Sequence, residues 1–103
     1  MIKLMDVAEV IRSKNSGPYE LTFDIMFKDA AVFEDFVTRD IMTPAVFAQL
    51  YGIDEAQVQS VIAFAPSKAV KITILRPISS GALGEKDVYG AQQHGPLLNF
   101  EYA

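Results

Sequence analysis

The sequence predicts an α+β domain built as a two-layer sandwich, a mostly antiparallel sheet with two helices on one face. Apolar residues alternate with polar or mixed ones over 21–28 and again over 70–74, the period of a strand with one covered face. Between these stretches, apolar residues recur at helical spacing over 32–37 and 46–50. The helices therefore fall between groups of strands rather than after each one, which favours antiparallel pairing. A ferredoxin-like arrangement is the nearest named pattern. The 103 residues form one domain, 1–103, with no room for a second.

The segment from Leu4 to Ile11 fits both periods, and the β-branched Val7, Val10 and Ile11 favour a strand near Ala8–Arg12. Arg12-Ser13-Lys14-Asn15-Ser16-Gly17-Pro18 breaks any regular pattern, and Gly17-Pro18 is turn chemistry. The clearest strand follows, with Leu21, Phe23, Ile25 and Phe27 on one face and Thr22, Asp24, Met26 and Lys28 on the other.

Asp29 caps a helix whose buried stripe is Val32, Phe33, Phe36 and Val37. Thr43-Pro44 opens a second helix, with Val46, Phe47 and Leu50 inward and Gly52 at its end. Asp54 and Gln57 have the spacing of a capping box for one further turn. Val58–Ala65 is apolar and β-branched, which predicts a strand covered on both faces. Pro66-Ser67 turns the chain into a partner strand carrying Val70, Ile72 and Ile74. Leu97, Leu98 and Phe100 predict a last strand, reached through a long loop from Pro77 to Pro96.

Composition excludes several functions. The net charge of −4 disfavours nucleic acid and anionic membrane surfaces, both of which select for Lys and Arg. With no cysteine there is no disulfide, no thiolate nucleophile and no Cys-based zinc site, and a single histidine rules out a multi-His metal site in one chain. Neither a metal nor a cofactor is expected. No run approaches the ~18 apolar residues of a membrane span, and the first residues lack a signal-peptide stretch, so the expected location is cytoplasmic. Half the residues are apolar, which is rich for a monomer of this size and points to apolar surface covered by another chain.

Two polar loops are the candidate chemistry. The long loop holds Asp87, Tyr89, Gln92, Gln93 and His94, a dense set of hydrogen-bonding groups. His94 has the reference pKa of a general base and Asp87 is the nearest acid in sequence to orient it, which makes them the candidate catalytic pair. The alternative is a structural hydrogen bond from His94 to the backbone. Arg12, Ser13, Lys14, Asn15 and Gly17 offer two cations and several donors for an anion, although the P-loop pattern is absent and the alternative is a plain solvated turn. Arg76 ends a strand beside the long loop, able to pair with Asp24 or Asp87 or to grip a carboxylate.

These motifs carry a resemblance. Arg12–Pro18, Glu20–Ile25, Leu50-Tyr51-Gly52, Arg76-Pro77 and above all Asp87-Val88-Tyr89-Gly90-Ala91-Gln92-Gln93-His94 resemble a family of short proteins related to the C-terminal domain of AtuA, the acyclic terpene utilisation protein. AtuA-like chains have an R-S-G-D-K-G turn where this chain has Lys14-Asn15 in place of Gly-Asp. The resemblance implies a ferredoxin-like α+β fold and an AtuA-like larger subunit as partner, in the catabolism of branched acyl compounds as CoA thioesters. It implies no catalytic residues.

The leading expectation is thus a non-catalytic small subunit or binding module of a larger enzyme acting on acyl-CoA or related carboxylates. The alternatives are a self-sufficient lyase or hydratase with Arg12, Lys14, Asp87, Tyr89 and His94 at a homo-oligomer interface, and a purely structural homo-oligomer. All assume that residues 12–17 and 87–94 converge.

Overall fold

The computed structural model describes residues 1–17, 19–75 and 95–103. Within them the elements run β1 (Ile2–Lys3), α1 (Leu4–Val7), β2 (Ala8–Gly17), β3 (Glu20–Phe27), α2 (Ala30–Thr38), α3 (Pro44–Tyr51), β4 (Val58–Phe64), β5 (Ala69–Leu75), α4 (Gly95–Leu98) and β6 (Glu101–Tyr102). Single 3₁₀ turns occupy Glu55–Gln57 and Ala65–Ser67. The chain is an α+β globule of antiparallel strands and helices, as the periodicities predict.

Two antiparallel hairpins form the main sheet, in the order β2-β3-β5-β4, and β1 pairs with β6 in a small second sheet. Helices α2 and α3 lie in one block between the hairpins. This ββααββ order differs from the interleaved βαββαβ order of a ferredoxin-like chain. Each hairpin closes locally, and the two join through their second strands, β3 and β5, from Glu20↔Leu75 to Met26↔Ala69.

The local reasons for the helices are those the sequence gives. Asp29 accepts a hydrogen bond from the Ala31 amide at 2.7 Å, capping α2. Thr43 Oγ1 accepts from Val46 N at 3.2 Å, with Pro44 in the first turn of α3. Gly52 closes α3 in the left-handed region at φ 66°. Gln57 Oε1 accepts from the Asp54 amide at 3.2 Å, within the expected capping box of Asp54 and Gln57.

One core joins the layers. Phe23, Phe27, Phe36 and Phe47 are all buried. Phe23 meets Phe47 edge-to-face at 5.0 Å, and Phe47 stacks on Tyr51 at 4.3 Å. Beneath them Leu21, Ile25, Val70, Ile72 and Ile74 present the covered face of β3 and β5.

Three expectations are corrected. Residues 12–17 are not a turn. They continue β2 and pair with β3 through Arg12↔Asp24, Ser13↔Phe23, Lys14↔Thr22, Asn15↔Leu21 and Gly17↔Glu20. A polar sequence is tolerated there because β2 is an edge strand whose alternate side chains meet water. Second, β4 is not covered on both faces. It is the opposite edge of the sheet, with Ile62 54% and Phe64 58% exposed. Third, Gly95–Leu98 is a helical turn and not the start of a strand. Leu97 and Phe100 are three apart, a spacing that suits a helical turn as well as a strand. The Phe100 amide bonds back to Leu97 O at 3.1 Å, and the strand begins only at Glu101.

The end of the β4–β5 hairpin is tied to the rest of the sheet. Lys68 sits in the left-handed region at φ 52°. Its carbonyl accepts from Phe27 N at 2.8 Å, and its Nζ donates to Lys28 O at 3.3 Å.

Candidate functional site

The face of the sheet turned away from the aromatic core holds the candidate site. Strand alternation sends Phe23 and Ile25 inward and leaves Thr22, Asp24 and Met26 on the opposite face. The registers of the three ladders then fix what stands beside Asp24. Arg12 is its partner on β2 and Lys71 on β5, and Ile62 on β4 faces Lys71. A parallel row runs Val10, Met26, Ala69, Phe64, and another Lys14, Thr22, Thr73, Ser60.

These rows bound a groove of about 410 Å³. Among the described residues, Arg12, Lys14 and Lys71 supply three cations to it, and Asp24 the one carboxylate. Met26, Ile62 and Phe64 supply an apolar wall, while Ser67 and Ala69 bound it at the hairpin end. The formal charge of these groups sums to +2, in a chain whose net charge is −4. A concentration of opposite sign to the whole molecule is what draws an anion to one place on it.

Asp24 sets the geometry. Its side chain is buried, and Arg12 Nε donates to Oδ2 at 3.2 Å, while about half of the Arg12 side chain remains exposed. The bond holds the guanidinium over the middle strand of the groove. A guanidinium presents a planar fork of donors that matches carboxylate or phosphate oxygens, and the two lysines add point charges beside it.

The sequence-predicted residues divide. Arg12 and Lys14 reach one groove by strand alternation, two residues apart on the same face. Ser13 and Asn15 lie on the other face, where Ser13 is buried opposite Phe23. Gly17 ends β2 opposite Glu20. This segment is extended and paired with β3, with one irregularity between Asn15 and Gly17, and is not a turn that curls round an anion. Arg76, Asp87, Tyr89, Gln92, Gln93 and His94 lie outside the described residues, and so does the expected convergence of 87–94 on 12–17. Asp24 pairs with Arg12, a partner that sequence reasoning did not give it.

Lys71, Met26, Ile62 and Phe64 are the groove residues that sequence reasoning missed. Their signal is present in the two strand patterns, because Lys71 and Asp24 are both the out-facing members of alternating strands. It is readable only once the hairpins are set side by side in register.

Among the described residues, no group of three or more His, Cys, Asp or Glu stands ready for a metal ion. No helix among them is long and apolar enough to cross a membrane. The two tyrosines packed in the core are held neutral. Burial pushes the Tyr51 phenol upward, against a smaller opposite effect of its hydrogen bond with the Leu97 backbone. Burial also raises Tyr102, as does the nearby Asp35 charge, with Arg39 acting the other way. The Tyr102 hydroxyl is buried without a hydrogen-bond partner among the described residues.

Comparison with protein families matches a domain of unknown function (DUF4387) over residues 4–101. No curated protein and no solved structure matches the chain.

Proposed function

The chain belongs to the DUF4387 family, and from that premise we propose that it is a non-catalytic binding module whose open sheet face holds an anionic acyl compound for a larger enzyme. One observation carries the reading. The Arg12, Lys14 and Lys71 cations stand beside the Met26, Ile62 and Phe64 side chains in one groove. One cation, Arg12, suffices to pair the Asp24 carboxylate, whereas a ligand with a negative head and a hydrocarbon tail uses all three cations and the apolar wall at once.

The volume suits part of such a ligand, since small-molecule sites span ~300–1,000 Å³. A carboxylate or thioester end fits beside Arg12 and Lys71, and a short branched chain fits against Ile62 and Phe64. The likeness to short AtuA-related proteins supports a CoA thioester as the ligand, an AtuA-like larger chain as the partner, and the cytoplasm as the place of work.

Thermal denaturation tests the reading. The purified chain is titrated with isovaleryl-CoA, free CoA, isovalerate and sodium sulfate. A ligand of the native state raises the melting temperature saturably. Isovaleryl-CoA is expected to raise it most, and Arg12→Gln with Lys71→Gln to remove the shift. Equal shifts with sulfate, or no shift with any of the four, overturn the acyl reading. Co-purification with an AtuA-like chain tests the partner.

A further inference from the structure

The two edges of the main sheet are built differently. The β2 edge carries Glu9, Arg12 and Lys14, and its ladder with β3 is irregular at two places, between Ala8 and Val10 and between Asn15 and Gly17. Charges and bulges are the usual protection of an exposed edge against pairing with another chain. The β4 edge has neither over its outer half. Its sequence, Val-Gln-Ser-Val-Ile-Ala-Phe, makes it the one strand among those described without a charged residue. No Lys, Arg, Asp or Glu occurs from Ala56 to Ser67. Its single register irregularity is at the start, between Val58 and Ser60. Among the described residues no strand pairs with its outer side.

We propose that a second copy of this chain pairs with β4 in antiparallel fashion, joining two four-stranded sheets into one of eight strands. Charge selects this occupant. Two copies carry −4 each, so most of their surfaces repel, and the uncharged stretch around β4 is where like charges do not meet. A strand without charge is also complementary to itself about a two-fold axis. With Ile62 opposite its own copy, Ser60 faces Phe64 of the other chain, and Val61 faces Ala63 on the covered side. Ile62 and Phe64, more than half exposed in one chain, then lie beside Ile62 and Ser60 of the other chain.

The pairing also completes the groove. In one chain its apolar wall stands on the last strand of the sheet and is open at the edge. In the pair, the two apolar walls merge into one central strip, with an Arg12, Lys14 and Lys71 cluster on either side. The inference stands apart from the acyl reading, because a dimer that binds no anion leaves it intact.

Light scattering coupled to size exclusion on the full chain reads the mass directly. The wild type is expected at twice the mass of one chain, and Ile62→Lys at the mass of one, with its far- and near-ultraviolet circular dichroism unchanged. The chain has no cysteine, so Ile62→Cys places one thiol per copy. Antiparallel partners stand ~5 Å apart, within the reach of a disulfide. Oxidation with diamide is then expected to give a covalent dimer, whereas Glu9→Cys gives none. This arm holds even if Ile62→Lys does not fold. A wild type of single-chain mass overturns the proposal, including the case in which β4 takes up an AtuA-like chain instead. So does a dimer that Ile62→Lys leaves whole and Ile62→Cys does not cross-link.

Discussion

Arg12 Nε donates to Asp24 Oδ2 at 3.2 Å between directly opposed residues of β2 and β3. The two differ in their surroundings, since Asp24 is buried and Arg12 is half exposed. The bond therefore matters more to the carboxylate, which has lost its water, than to the guanidinium, which has kept much of it.

Replacing Arg12 by Ala leaves a buried carboxylate without this donor. We expect a loss of about 1–2 kcal/mol by urea denaturation, at the low end for a charge-assisted bond because one partner is partly solvated. Asp24→Asn in the same background is expected to recover part of that loss, since the uncompensated charge is removed. A double-mutant cycle whose two changes simply add would mean the pair is not coupled.

Phe64→Ser and Ile62→Ser separate binding from stability. Each removes an apolar side chain that is more than half exposed in one chain, so the melting curve of the monomeric, ligand-free chain is expected to move by less than the equivalent of ~1 kcal/mol. The shift produced by isovaleryl-CoA is expected to fall sharply, while any shift from sulfate stays. Loss of both shifts together would place the apolar wall outside the site.

Tyr102→Phe deletes a buried hydroxyl that has no hydrogen-bond partner among the described residues. The ring remains against Phe36, 5.4 Å between centroids. An unsatisfied buried hydroxyl costs ~1–3 kcal/mol, so the variant is expected to be more stable than the wild type, by about 1 kcal/mol. A destabilised variant would point to a partner for the hydroxyl in solution.

The raised phenols predict an alkaline limit. Tyr51 and Tyr102 are both shifted upward, chiefly by burial, from the ordinary value of 10.0. The unfolded chain releases these protons first, so the stability linked to them is whole below about pH 10 and is lost as pH rises through the folded values. Denaturation midpoints from pH 8 to 11 should be level at first and then fall. Tyr51→Phe should flatten the fall, at the cost of its hydrogen bond with the Leu97 backbone.

Phe47→Ala tests the core. Phe47 meets both Phe23 and Tyr51 in ring contacts and is fully buried. Its removal is expected to cost ~3–5 kcal/mol, enough to leave a chain of this size largely unfolded on mild heating.

The sequence made legible what depends on local pattern. Alternation in Leu21–Phe27 and Val70–Ile74 gave the central strands, and Asp29, Thr43 and Gly52 gave the helix ends. It misled where one composition suits two environments. The apolar Val58–Phe64 run read as an interior strand and is an edge, because burial depends on which strands lie alongside it. Arg12–Gly17 read as a turn and is extended, because pairing with β3 outweighs weak local preference. Of the candidate site, Arg12 and Lys14 were legible as cations. Lys71, Met26, Ile62 and Phe64 were not, because cross-strand registers join residues that sequence keeps about fifty apart.

Lys68 stitches the β4–β5 hairpin to the end of β3, through the Phe27 amide and the Lys28 carbonyl. Ser67, at the hairpin end of the groove, is its neighbour in the chain. The walls of the groove are thus parts of a single stiff frame, and a guest arriving there meets a shape already made. What a ligand would have to order there is chiefly the Arg12, Lys14 and Lys71 side chains rather than the backbone.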